Sequence, residues 1–207
     1  KIIMTRDSDV YIPLSERVKI ARESHAALFI SVHADKLTSD TQAVSGATVY
    51  TRADRATDAD AARTAEKENQ SDATAGVEGK EEPTEVSDIL FDLTRRETRA
   101  YSHVFARTLV NYWKIAGRLN KNPERAAGFR VLAAPDVPSV LLELGYLSNS
   151  HDAKSLVSPG WRDATTDKVV AAVDAFFAST GTKSAGPIPT LPGGPGASKA
   201  DAATAAR

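Results

Sequence analysis

The run Ala27-Leu28-Phe29-Ile30-Ser31-Val32 is almost unbroken in apolar side chains and ends on a histidine, His33. A short run with so little alternation reads as a strand buried on both faces, the kind found in parallel sheets. A second such run, Ser139-Val140-Leu141-Leu142, leads straight into Glu143. Helical patterns separate the candidate strands. Pro13 suits a first helical turn, and Leu14, Val18, Ala21 and His25 follow at helical spacing. Tyr101, Phe105, Leu109, Tyr112 and Ala116 share one helical face, with Gly117 as a natural stop. A last helix spans about 161 to 178, with Val169, Val170, Val173, Phe176 and Phe177 inside. Residues 2 to 5, 46 to 51 and 128 to 133 read as further strands. Strands alternating with helices define an α/β fold: a mainly parallel sheet flanked by helices.

Two segments depart from this pattern. Ala53 to Asp88 holds eleven acidic and four basic residues, a net charge of −7, and few large apolar side chains. Its first half, Asp58 to Gln70, favours helix through Ala, Glu, Lys and Arg. Its second half, with Gly76, Gly79 and Pro83, reads as loop. This is an acidic helical insertion, about residues 53–97, in a domain covering 1–178. After Ser179 the chain turns to Gly, Pro, Ala, Ser and Thr, the composition of a flexible, disordered tail over 179–207.

The chain's 207 residues suffice for one full core, and 42% apolar with 26% charged residues is ordinary for a soluble domain. A net charge of −1 gives no general pull toward nucleic acid or membranes. No apolar run is long enough for a transmembrane segment. The absence of cysteine excludes disulfides and leaves His and carboxylates as the donors for any metal. No signal peptide is visible. The chain opens on Lys1-Ile2-Ile3-Met4-Thr5, which reads as a strand already under way and suggests an N-terminal truncation.

Ligands of open α/β sheets bind beyond the carboxyl ends of strands. His33 and Glu143 both follow a buried strand and therefore belong at that edge. An imidazole ligand and a carboxylate acting on metal-bound water fit a zinc hydrolase. The plainer readings stand beside it: a hydrogen-bonding or surface histidine, and a glutamate that caps neighbouring backbone.

Ser31-Val32-His33-Ala34-Asp35 resembles the second-histidine motif of the zinc-dependent N-acetylmuramoyl-L-alanine amidases of the cell-division type. Val140-Leu141-Leu142-Glu143-Leu144-Gly145-Tyr146-Leu147-Ser148-Asn149 resembles that family's catalytic-glutamate motif. Met4-Thr5-Arg6, Leu14-x-x-Arg17 and Gly46-Ala47-Thr48-Val49-Tyr50 also match, in the family's order. The resemblance implies that His33 is a Zn2+ ligand and Glu143 the catalytic carboxylate. The family's other ligands, a His in a Gly-His-Gly-Gly motif and a Glu after it, are expected upstream of Lys1. It further implies a periplasmic enzyme that hydrolyses the amide between N-acetylmuramic acid and L-alanine in peptidoglycan during daughter-cell separation. An inserted helix would block the zinc with a glutamate until a LytM-type activator relieves it. Glu68 is the best match for that glutamate, and Glu66 the next.

His25, His103 and His151 read as structural. Arg6 and Arg17 read as structural rather than as contacts to substrate carboxylates. Tyr146 lines the cleft or packs, and Ser148 and Asn149 cap the helix beginning near Ser150. Two other functions share these features: a module that holds peptidoglycan or a partner without cleaving it, and another zinc peptidase.

Overall fold

The structure is a computed structural model that describes residues 1–37, 43–77 and 89–181, the side chains of 89–91 excepted. The tail beyond Gly181 and the loop positions Gly79 and Pro83 lie outside the described residues. Four strands form one sheet: β1 (Phe29–Asp35), β2 (Ala47–Arg52), β3 (Leu119–Ala127) and β4 (Ser139–Tyr146), in the order β1-β4-β2-β3. The β1–β4 and β2–β3 pairs are parallel, while β2 runs antiparallel to β4. Among the described residues six helices accompany them: α1 (Leu14–Glu23), α2 (Ala59–Asn69), α3 (Ser71–Thr74), α4 (Ile89–Trp113), α5 (Ser150–Val157) and α6 (Pro159–Ser179).

Alternation along β4 sorts the core into two layers. Val140 and Leu142 face α4 and α6, where Val49, Phe105, Leu109, Trp113 and Phe176 complete one cluster. The rings of Phe105 and Phe176 meet edge to face at 5.3 Å. Leu141 faces the other way, into a cluster with Tyr50, Phe129, Leu14 and the small side chains Ala61 and Ala65 of α2. Glu143 shares that second face by the same alternation.

Several expectations need correction. Residues 2 to 5 pair with no strand; Ile2 and Met4 are exposed, so their β-forming side chains have no sheet to join. His25 lies beyond the end of α1, exposed and at φ +48°, not on its buried stripe. The segment 128–133 contains a 3-10 turn (Arg130–Leu132) rather than a strand. The strand is β3, just before it, whose polar sequence Leu-Asn-Lys-Asn-Pro-Glu-Arg gives no apolar signal because it lies at the sheet edge. α4 ends at Trp113, so Ala116 falls in the turn that follows. Val170 is more than half exposed on α6. A short helix, α3, occupies part of the stretch read as loop.

The edge of the sheet where β4 ends is fastened by Asp152. Its Oδ2 accepts hydrogen bonds from the backbone N–H of Gly46 (2.8 Å) and of Tyr146 (3.0 Å), joining the start of β2 to the end of β4. Asn149 caps α5 by accepting from the N–H groups of His151 and Asp152, as expected. Gly145 sits at φ +153°, and a Cβ there would lie 3.1 Å from the Asp152 carboxyl, so both conformation and space demand glycine. Replacing Asp152 by Ala leaves two buried N–H donors unpaired. Asp152→Ala is expected to cost about 3 kcal/mol of stability, measured as the shift in urea unfolding.

Candidate active site

His33 and Glu143 are direct neighbours across the parallel β1–β4 pair, each within its strand rather than after it. The strands run further than their apolar runs because pairing, not hydrophobicity, sets their ends. Ser31, two residues before His33 and on the same face, holds the imidazole through its Oγ, 2.8 Å from Nε2. The other ring nitrogen, Nδ1, meets Oε2 of Glu68 at 3.1 Å. Glu68 comes from α2, whose N-terminus is capped by Asp58 accepting from Ala61 N–H. Glu66 is exposed on the same helix.

Glu143 is fully buried. Its Oε2 accepts from the backbone N–H of Asp35 at 3.2 Å, while Oε1 has no hydrogen-bond partner among the described residues. Asp35 in turn pairs with Lys67 of α2 at 3.0 Å. The site therefore gathers three carboxylates, Asp35, Glu68 and Glu143, with one imidazole and one ammonium. Burial first, then the charges of Asp35 and Glu68, push the Glu143 carboxyl well above its ordinary range, against the pull of the Asp35 N–H bond. Burial also raises Asp35, with Lys67 opposing it and Glu68 adding to it. Burial alone would raise Glu68 as well, but its hydrogen bond and charge interaction with His33, and then Lys67, outweigh this and hold it below the usual range.

Sequence reading missed Asp35, Lys67 and Ser31. The signal for Ser31 and Asp35 is the period of two: both lie two positions from His33 in the same strand. Lys67 carried no signal beyond adjacency to Glu68. The remaining candidates lie elsewhere. Arg6 donates to Val10 O and Arg17 Nε to Ile12 O, both structural as expected. Tyr146 is buried, and Ser148 Oγ accepts from Leu37 N–H. His103 and His151 are exposed on their helices.

His33 and Glu68 are donors of the type zinc takes, and the unpaired Glu143 Oε1 lies in the same site. Catalytic zinc commonly has about three protein ligands. Among the described residues no group of three or more His, Cys, Asp or Glu is arranged to hold a metal. The donor set in hand is thus right in kind and incomplete in number.

Comparison with known proteins agrees with this fold. The family model described as N-acetylmuramoyl-L-alanine amidase matches residues 1–175, and the chain belongs to that family. It is 34% identical over 183 residues to the amidase AmiC of Escherichia coli O6:H1, covering 88% of this chain and 43% of AmiC. It is 32% identical over 175 residues to AmiA of Escherichia coli K12, covering 84% of this chain and 60% of AmiA. The chain thus spans about half the length of these curated relatives. The crystal structure of an N-acetylmuramoyl-L-alanine amidase from Clostridium difficile 630 superposes with a TM-score of 0.54 at 18% identity, covering 86% of this chain and 73% of that one, a likeness of fold.

Because the Glu143 carboxyl is raised in the folded state, the fold favours its protonated form. That contribution is complete below the ordinary carboxyl range and is lost as pH rises toward the folded value. Glu143→Gln cannot titrate, and its amide oxygen can still accept from Asp35 N–H. The variant is expected to unfold at higher urea than the native chain near pH ~7, with the gap closing toward pH ~4. Equal midpoints at both pH values would contradict the carboxylate's strain.

Proposed function

We propose that this chain contributes the catalytic face of an enzyme that hydrolyses the amide bond between N-acetylmuramic acid and L-alanine in peptidoglycan. The observation carrying this reading is the pairing of His33 with Glu143 on adjacent strands of an amidase-family sheet, with Glu143 buried and half-satisfied. Its carboxyl, raised by burial above the ordinary range, holds a proton more readily than an exposed glutamate, as a group that accepts and returns one requires. Glu143 takes the proton of the attacking water and passes it to the departing L-alanine nitrogen. Asp35, through its N–H, fixes which carboxylate oxygen is free to do so. Ser31 engages Nε2 of His33, so Nδ1, the nitrogen that Glu68 meets, is the one turned to the site.

In this reading His33 is a zinc ligand through that nitrogen, together with donors outside the described residues. Bound zinc would supply a Lewis acid for the carbonyl and a water of lowered pKa. The protein works in the periplasm, on the cell wall remodelled as daughter cells separate. α2 is an autoinhibitory cover, and Glu68 occupies the His33 nitrogen that the reaction needs. A LytM-type activator relieves the block. The Glu68–His33 distance of 3.1 Å and the exposure of Glu66 favour Glu68 as the blocking residue.

Three variants of the intact protein test this reading. Glu143→Ala is expected to retain zinc and lose at least about a hundredfold in hydrolysis of purified sacculi. His33→Ala is expected to lower zinc content by metal analysis. Glu68→Ala is expected to raise hydrolysis in the absence of activator. Near-normal turnover by Glu143→Ala would reject its role. Release of muramyl sugar with an intact peptide stem separates an amidase from a zinc peptidase.

A further inference from the structure

Glu68 can occupy His33 only if something keeps α2 in place, and the apolar contacts of this helix are slight. Its buried side chains are Ala61 and Ala65, two methyl groups. Lys67, which pairs with Asp35, is half exposed. Two polar contacts lie just past Glu68, outside the site. Asn69 turns its amide onto the segment after β3: Nδ2 donates to Gly128 O at 2.9 Å and Oδ1 accepts from Arg130 N–H at 2.8 Å. Both halves of the amide are used, and both partners are backbone, so the contact fixes orientation as well as position.

Asp72, in α3, is the second. It is buried, and its Oδ1 accepts from Leu14 N–H at 3.0 Å and from the Tyr11 hydroxyl at 2.6 Å. α1 has no cap of its own, since Pro13 at its N-cap position makes no side-chain hydrogen bond. Asp72 thus serves as the N-cap of a helix remote in sequence, where a carboxylate also meets the positive end of the helix dipole. Its burial makes that contact costly to leave unmade.

We propose that Asn69 and Asp72 are positioning residues that hold Glu68 on His33. Access to the site is gated by these two anchors on the body of the domain, to the 128–130 segment and to the start of α1. The proposal rests on the reading of α2 as a cover, but it concerns what holds the cover.

Hydrogen–deuterium exchange on the full chain tests it without zinc or substrate. Asn69→Ala and Asp72→Ala are each expected to speed exchange of the α2 amides about tenfold, the loss of two hydrogen bonds. Exchange in β4 should not change. Asp72→Ala should also speed the first turn of α1, and Asn69→Ala should not. Asp72→Asn, which keeps an accepting oxygen, should restore most of the protection. Alanine is the better helix former, so Asn69→Ala would slow α2 exchange if local propensity alone decided it. Unchanged or slower α2 exchange overturns the proposal, as does an equal rise throughout the sheet. A second readout is reaction of the histidines with diethyl pyrocarbonate. His33 should react about tenfold faster in Asn69→Ala, with exposed His151 as the constant reference; an unaltered His33 rate also overturns it. Should Glu68→Ala leave hydrolysis silent while exchange and labelling change as stated, the cover reading fails and the anchors stand. Should Glu68→Ala activate while α2 exchange ignores both anchors, the anchors fail and the cover stands.

Discussion

A carboxylate buried in the middle strand of the sheet is the constraint around which this domain is arranged. Glu143 is on β4, which is paired on both sides, by β1 and β2, so its backbone cannot shift to bring the carboxyl into solvent. Burial and two neighbouring carboxylates oppose ionisation, and a single N–H bond from Asp35 favours it. An unpaired buried oxygen costs about 1–3 kcal/mol. A fold selected for stability alone would place Gln or Leu there. The strain is tolerable because strong apolar packing brackets it: Val140, Leu141 and Leu142 just before it are all essentially inaccessible to solvent.

The same constraint explains the character of the surrounding charges. Three carboxylates in one site repel one another, so each has a separate counterweight. Lys67 answers Asp35 and His33 answers Glu68, whereas at Glu143 burial and the neighbouring carboxylates push the carboxyl toward its protonated form. Both Lys67 and Glu68 come from α2, so removing this helix takes away one carboxylate and one ammonium together. That exchange alone would leave the net charge of the site nearly unchanged, whereas its solvation would change greatly. Loss of burial would therefore act on Glu143 mainly by admitting water, since burial is the largest cause of its shift.

Much of this was legible in the sequence. The two apolar runs, the helices α1, α2, α4 and α6, and the juxtaposition of His33 with Glu143 at one sheet edge follow from periodicity and topology. Family resemblance singled out Glu68 only as a zinc-blocking glutamate, since a glutamate on an acidic helix carries no positional signal of its own; its contact with His33 is seen only in the structure. What escaped notice lacked side-chain contrast. β3 is held by backbone pairing at an edge and reads as polar loop, with Pro123 inside it. Residues 2 to 5 have strand-forming side chains but no neighbouring strand, and propensity alone does not make a sheet. His25 fits the spacing of α1, yet the helix turns off at Ser24, and spacing does not reveal where a helix stops.

The composition of α2 lets it sit close to the sheet with little apolar grip. Ala61 and Ala65 let its backbone approach Tyr50 and Phe129 closely without inserting large apolar side chains. Burying two methyl groups contributes little, roughly 1–2 kcal/mol, so the helix does not stick by hydrophobic contact. What remains is polar: Asp58 at its start, paired with Arg125 of β3, Lys67 and Glu68 over the site, and Asn69 at its end. Hydrogen bonds of this kind contribute about 1 kcal/mol each, and their direction makes the position of the helix well defined. Leucines at positions 61 and 65 would reverse that balance. They would hold the segment through several kcal/mol of apolar burial, push it outward by their size, and take Glu68 off His33 while making the helix harder to remove.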